Sequence, residues 1–264
     1  MFGTHFYHQR IRKSVAMFGS LFNNLYVLRK NSSGAVISTV RVPLSYSNKD
    51  KMLERINIMQ EGNTPQHSLA IKLPRMGFEI TAITYDPSRQ LSKTTNINKA
   101  VADSITRRHK IYTGTPYNIG FQLNIYGKTM DDVLQIVEQI IPYFTPQYTV
   151  TVKPLSDFSD IKEDVPLVLN SISFSDDYEG TQESRRTIIY TLDFEMKVNF
   201  RGPIPDSGTS IIRKVTNNIY NYEAGGLDSD MKIETLTVLP NPLSVNPDSD
   251  YGFTTTLVNI VDSA

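Results

Sequence analysis

One segment constrains the fold more than any other. Residues 117–127, YNIGFQLNIYG, place Tyr117, Ile119, Phe121, Leu123 and Ile125 at every second position. Side chains of a strand alternate between faces, so this run sets one apolar face on a core. The following MDDVLQIVEQIIPYF repeats Val133, Ile136, Val137, Ile140 and Phe144 at helical spacing. The spacing predicts a helix over 129–141, stopped by Pro142, because the residue before a proline disfavours helical backbone. After Pro146 the run QYTVTV predicts a strand over 147–153. A second alternating run, 187–200, carries Ile188, Tyr190, Leu192, Phe194, Met196, Val198 and Phe200 against Thr187, Thr191, Asp193, Glu195, Lys197 and Asn199. It predicts a strand with one face on the core and the other on water or a partner.

Around these runs the signals are shorter. Tyr7, Ile11, Val15, Phe18, Phe22 and Leu25 form a helical stripe that ends near Asn23-Asn24. Asn31-Ser32-Ser33-Gly34 reads as a hairpin turn between extended arms at 27–30 and 36–44. Asn48 is placed to cap a helix over 49–59. Extended segments follow at 68–73 and 77–85, broken by Pro74. Residues 86–116 are polar and weakly periodic, and read as a long mobile loop with a short helix near 97–106. Further extended stretches fall at 167–174, 211–220, 232–239 and 253–260, with a Pro/Asn/Asp/Ser-rich linker over 240–252. The expected class is α+β, a largely antiparallel twisted sheet flanked by a few helices. The expected organisation is a core domain over 1–205, with the loop 86–116 as an excursion, and an extended, partner-binding segment over 206–264.

Composition excludes several functions. The 264 residues include no cysteine, which removes disulfides, thiolate metal ligands and a cysteine nucleophile, and points to a reducing compartment. No run of about 18 apolar residues is present, so no membrane span is expected. Ser14–Phe22 is too short and too interrupted for a secretory apolar region. The 27 Lys/Arg balance the 27 Asp/Glu, so net charge names no polyanionic partner. The charge is nevertheless segregated. Residues 1–55 hold nine Lys/Arg against Asp50 and Glu54, and residues 155–183 hold eight acids against Lys162. Such segments are either solvated faces or complementary patches that join identical subunits head to tail.

Catalytic motifs do not survive inspection. Gly127-Lys128-Thr129 lacks the glycine that a P-loop requires five residues upstream of its Gly-Lys-Thr, where Gln122 stands. Asp131 and Asp132 in the helix's first turn would repel a phosphate there. Thr129 is better read as the N-cap, with Asp132 as a capping-box-like partner. His5 and His8 lack an acidic companion for a metal site. Asp248-x-Asp250-x-Gly252 lacks the terminal acid of a calcium loop, since Asn259 holds that position. HExxH and G-x-S-x-G are absent. Asp176-Asp177 read as part of an acidic surface run. Arg107-Arg108-His109-Lys110 with Tyr112 is a short basic footprint, compatible with weak contact to passing DNA but not with specific binding. No cofactor is expected.

Several stretches together resemble one family. They are Met1-Phe2-Gly3 with Phe6-Tyr7, Gly19-Ser20-Leu21-Phe22-Asn23, and Arg41-Val42-Pro43 followed by Tyr46. Leu73-Pro74-Arg75, the run Gln135–Phe144 with Pro146, and Ser184-Arg185-Arg186 before the alternating strand complete the set. In order and spacing this is similar to the tail-completion and sheath-stabiliser proteins, or tail terminators, of T-even-like contractile-tailed bacteriophages. The resemblance covers roughly residues 1–200. It implies a non-enzymatic virion protein, assembled in the host cytoplasm, that forms a homohexameric ring. The ring would cap the tail tube and last sheath ring at the tail-neck junction. Its implied partners are the sheath protein, the tube-terminating protein and a neck protein, with DNA passing through the lumen. A neck or baseplate-side ring adaptor is the alternative. The residues expected at subunit or partner contacts are Arg10, Arg12, Lys13, Arg107, Arg108, Asp176, Asp177, Arg185 and Arg186. For Arg185 and Arg186 the competing reading is a local ion pair with Asp176, Asp177 or Glu179 across a hairpin.

Overall fold

The computed structural model describes residues 5–58, 73–102, 104–155, 158, 160–177, 187–204, 208–220 and 232–259. In chain order the elements are α1 (Arg10–Leu21), β1 (Tyr26–Lys30), β2 (Val36–Arg41), β3 (Leu44–Tyr46), α2 (Lys49–Ile58) and β4 (Arg75–Tyr85). Then come β5 (Asn96–Ala100), β6 (Arg107–Tyr112), β7 (Thr115–Gly127), α3 (Met130–Ile140), β8 (Gln147–Val152), β9 (Glu163–Asp177) and β10 (Thr187–Phe200). The last are β11 (Thr209–Ser210), β12 (Val215–Tyr220), β13 (Lys232–Asn241) and β14 (Gly252–Asn259). The class is α+β, dominated by antiparallel sheet. Two compact units form: Met1–Gln90 with Thr115–Phe200, and Leu91–Gly114 with Arg201–Ala264.

The first unit is built on a six-stranded sheet, ordered β3-β4-β7-β10-β9-β8. The short edge pair β3–β4 is parallel and the other pairs are antiparallel. The two clearest alternating runs in the sequence, β7 and β10, lie side by side from Thr115↔Phe200 to Gly127↔Ile188. Their apolar faces supply Ile119, Phe121, Leu123, Ile125, Leu192, Phe194, Met196 and Val198, all buried. Helices α1 and α3 cover this face. Phe18 of α1 lies at its centre, stacked on Phe121 with centroids 4.5 Å apart and edge-on to Phe194 at 5.4 Å. Offset and edge contacts of this kind add to the area term of burial.

The stripe predicted for α1 is only half buried. Phe18 and Phe22 reach the core, whereas Tyr7 and Ile11 are 63% and 42% exposed. The helix starts at Arg10, after the expected Tyr7, and its buried positions are Arg10, Ser14 and Phe18. Gln9 precedes it in the left-handed region, with φ 55°, so Tyr7 never joins the helical face. Helix α2 covers the opposite face of the sheet, where Met52 and Ile56 meet Tyr126 and Ile189. The predicted cap is present: Asn48 Oδ1 accepts from Asp50 N at 2.8 Å. Glu79 adds a carboxylate at the same helix end, accepting from Lys49 N at 3.2 Å, where the helix dipole favours negative charge.

At the predicted hairpin turn, Gly34 sits at φ +83° and Asn31 Oδ1 accepts from Ser33 N and Ala35 N. This hairpin is held to α3 by glutamines of the run Gln135–Phe144. Gln135 exchanges hydrogen bonds with the backbone of Leu28 at 3.0 and 3.2 Å, and Gln139 Nε2 donates to Tyr26 O at 2.8 Å.

In the second unit, β5 and β6 pair antiparallel and β11 adds to β6. The helix expected near 97–106 is therefore not formed. Asn96–Ala100 is instead the first arm of a hairpin with Arg107–Tyr112, from Asn96↔Tyr112 to Ala100↔Arg108, and cross-strand pairing overrides a weak local preference. Strands β12, β13 and β14 make a separate antiparallel meander. Arg213 donates to three backbone carbonyls, Ile105 O at 2.6 Å, Leu243 O at 2.5 Å and Val245 O at 3.3 Å.

Candidate interaction surfaces

The Gly-Lys-Thr turn is occupied by packing. A Cβ on Gly127 would collide with Val133 Cγ2, so the glycine lets α3 lie directly against the end of β7. Thr129 takes the N-cap position in extended backbone, but its side chain makes no capping bond. Asp132 does not close a capping box either. It is buried and accepts from Arg29 of β1, with Nη2 to Oδ2 at 2.8 Å. That carboxylate raises the Arg29 pKa, first through the hydrogen bond and then through charge.

The basic N-terminal residues separate into different environments. Arg10 is buried and its Nη2 lies 3.1 Å from Glu163 Oε2. Here the complementarity of the basic and acidic segments is realised inside one chain. Lys13 is half-buried, with Nζ 3.4 Å from Pro154 O. Arg12 is exposed. Arg107 is exposed on β6, and Arg108 lies beside it with Nε 3.5 Å from Asp248 Oδ1. Asp248 also accepts from Ala100 N at 2.8 Å, so the failed calcium-loop motif holds β5 and β6 to the chain's last third. Asp176 and Asp177 are in β9, with their backbones opposite Ile188 and Thr187. Arg185 and Arg186 lie outside the described residues.

Strand β10 is central in its sheet, so both of its backbone edges are paired, and on its outward face Thr187, Ile189 and Thr191 are buried while Asp193, Glu195, Lys197 and Asn199 are partly accessible. That face carries a hydrogen-bonded row. Asp193 accepts from Ser171 and Gln122 at 2.9 and 3.0 Å, and Thr191 donates to buried Asn124 at 2.8 Å. Fixed carboxylates and amides of this kind make a structured polar wall. Among the described residues no group of three or more His, Asp or Glu is arranged to hold a metal.

Two apolar surfaces were not legible as such. In the meander, the register Val215↔Val238, Leu236↔Leu257 and Pro240↔Phe253 collects one apolar face. Val215, Ile219, Leu257 and Phe253 on it are 55%, 44%, 55% and 69% exposed. The other face is mixed, with Thr216, Asn218, Thr235, Thr237, Thr254 and Thr256 beside Ile233, Leu239 and Val258. Part of this face is covered within the unit, where Val215, Val238, Pro240 and Phe253 line a pocket with Ile105, Ile211, Val245 and Pro247; the exposed remainder is a candidate interaction surface. The second surface is a groove of about 210 Å³ in the first unit, with Leu21, Phe22, Leu25, Ile140 and Phe144 supplying apolar lining and Asn24, Gln139, Tyr143 and Tyr148 polar groups.

The family model of the T4-like virus Myoviridae tail sheath stabiliser matches residues 5–259. The chain belongs to this tail sheath stabiliser family. It is also 26% identical over 252 residues to the tail completion protein gp15 of Enterobacteria phage T4, spanning 94% of this chain and 90% of that one. As a member of the family it is a structural protein of a contractile phage tail and a component of the virion. The match runs well past the residues that carried the resemblance, into the meander. No helix among the described residues is long and apolar enough to cross a membrane.

Proposed function

We propose that this stabiliser forms a hexameric ring on the end of a contractile tail. The ring caps the tube and the last sheath ring, keeps the sheath extended, and presents the surface to which the neck attaches. The observation that carries this reading is the family match over residues 5–259, which takes in both units. The exposed Val215, Ile219, Leu257 and Phe253 of β12–β14 support it, because a tail terminator must offer broad contact surface to other proteins. The segment 206–264 is then a partner-binding element. The protein acts by binding and without catalysis, and DNA passes through the lumen without sequence-specific contact. Exposed Arg12 and Arg107, with Arg108, Asp176, Asp177, Arg185 and Arg186, belong to subunit or partner contacts in this reading.

The test is end-binding. Purified protein is mixed with sheathed tails that lack a cap and viewed by negative-stain microscopy. The expected result is density at one tail end, six-fold in end-on views, and sheaths that persist longer in the extended form. Binding along the tail's side, or no binding, would refute it. Association with head connectors in the absence of sheath would instead favour a neck adaptor.

A further inference from the structure

We infer that neighbouring copies join through an N-terminal arm, with Phe6 and Tyr7 of one copy seated in the groove lined by Phe22, Tyr143 and Phe144 of the next. The inference rests on the ring reading and names its contact.

The apolar stripe of residues 7–25 supplies the first argument. Its second half enters the core, while at its start Phe6, Tyr7 and Ile11 stay 49%, 63% and 42% exposed. At its far end the same stripe opens into the groove, to which Leu21, Phe22 and Leu25 contribute. The stripe is thus uncovered at one end and unfilled at the other. A volume of about 210 Å³ admits an aromatic ring, since an apolar cavity of about 150 Å³ takes a benzene. Tyr143, 68% exposed, and Tyr148, 38% exposed, stand at its margin.

Geometry makes the contact intermolecular. Arm and groove lie at opposite ends of α1, whose 12 residues span about 18 Å at 1.5 Å per residue. A contact between opposite ends of one element closes into a ring when each copy passes its arm on to the next, and into a dimer when two copies exchange arms; the ring reading selects the first.

Electrostatics gives the direction. The first turn of α1 holds no acid and carries Arg10, Arg12 and Lys13, the reverse of what a helix N-terminus favours. Arg10 faces Glu163, but Arg12 is exposed. The groove receives the C-terminal ends of both α1 and α3, neither of which has a basic residue in its last turn. Two negative helix ends, with exposed Glu138 one turn back, complement a basic aromatic arm.

The chain contains no cysteine, so introduced thiols report alone. Tyr7→Cys and Tyr143→Cys are made in separate full-length proteins, mixed, and treated with a short bis-maleimide. Tyr7→Cys mixed with Glu54→Cys, on α2 across the sheet, is the control. Light scattering of the wild type and of Tyr7→Asp reads assembly independently. The expected results are a mixed cross-linked dimer for the first pair only, a wild-type ring, and loss of the assembled species in Tyr7→Asp. A wild-type ring with no selective cross-link and with Tyr7→Asp still assembled would overturn the contact while leaving the ring. A selective cross-link with no ring would sustain the contact and refute the ring. Absence of both would remove both.

Discussion

Replacing Arg10 by methionine separates a structural cation from an interface cation. Arg10 and Glu163 have side chains 8% and 10% exposed, with Nη2 and Oε2 3.1 Å apart. Removing the guanidinium leaves the carboxylate in the same enclosed site, where Asn199 Nδ2 still donates to Oε1 at 2.7 Å. Breaking one side of a buried pair costs about 3–5 kcal/mol, because the remaining charge stays desolvated. The retained Asn199 bond sets the expectation near the lower end, about 3 kcal/mol. In a domain of this size about 1 kcal/mol moves the midpoint by about 2–4 °C, so R10M melts about 6–12 °C lower. Exposed Arg12 is the internal standard, and R12M stays within about 0.5 kcal/mol of wild type. The double variant R10M/E163M replaces the pair by apolar side chains and recovers most of the loss. Thermal and urea unfolding followed by circular dichroism measure all four proteins, and light scattering reads assembly in parallel. The reasoning is refuted if R10M unfolds like R12M yet fails to assemble. Arg10 would then serve a neighbouring subunit.

Three further perturbations follow from the geometry. Gly127→Ala drives a methyl into Val133 and lowers stability by about 1–3 kcal/mol, while ATP binding by calorimetry is negligible in both proteins; measurable ATP binding by the wild type would revive the phosphate-loop reading. Tyr126 has a buried hydroxyl with no hydrogen-bond partner among the described residues. Its pKa is raised, chiefly by burial and then by Glu79 and Asp50. The unfolded phenol ionises near pH 10 while the folded one holds its proton, so the folded state loses stability as pH rises above about 10. Tyr126→Phe removes this alkaline loss and at neutral pH is neutral or stabilising by up to about 1 kcal/mol; pH-dependent melting decides it. Arg213→Met forfeits the bonds to Ile105, Leu243 and Val245 and destabilises the second unit by about 1.5–3 kcal/mol, read as increased amide hydrogen exchange over 105–112 and 236–246 with the first unit unchanged.

The sequence by itself determined the elements whose signals are local. Strict alternation over 117–127 and 187–200 fixes strand and buried face, because neighbouring side chains must point oppositely whatever surrounds them. The helix over 130–140, which tightens into a 3-10 turn through Ile141–Tyr143 at Pro142, the Asn48 cap and the Asn31–Gly34 turn are likewise written in a few adjacent residues. The stretches that carried the family resemblance were legible for the same reason. What only the tertiary structure decided is every pairing across the chain. Nothing local says that Asp132 meets Arg29 103 positions away, or that Arg10 faces Glu163 within its own chain. Nor does local sequence say that 91–114 groups with 201–264; the apparent loop and helix there form a hairpin whose polar, weakly alternating arms carry little strand signal. The same limit applies to α1, where periodicity revealed an apolar stripe but not which half of it the sheet would cover. Periodicity reports that a face is apolar; the shape of the rest of the molecule determines how much of that face is left for a partner.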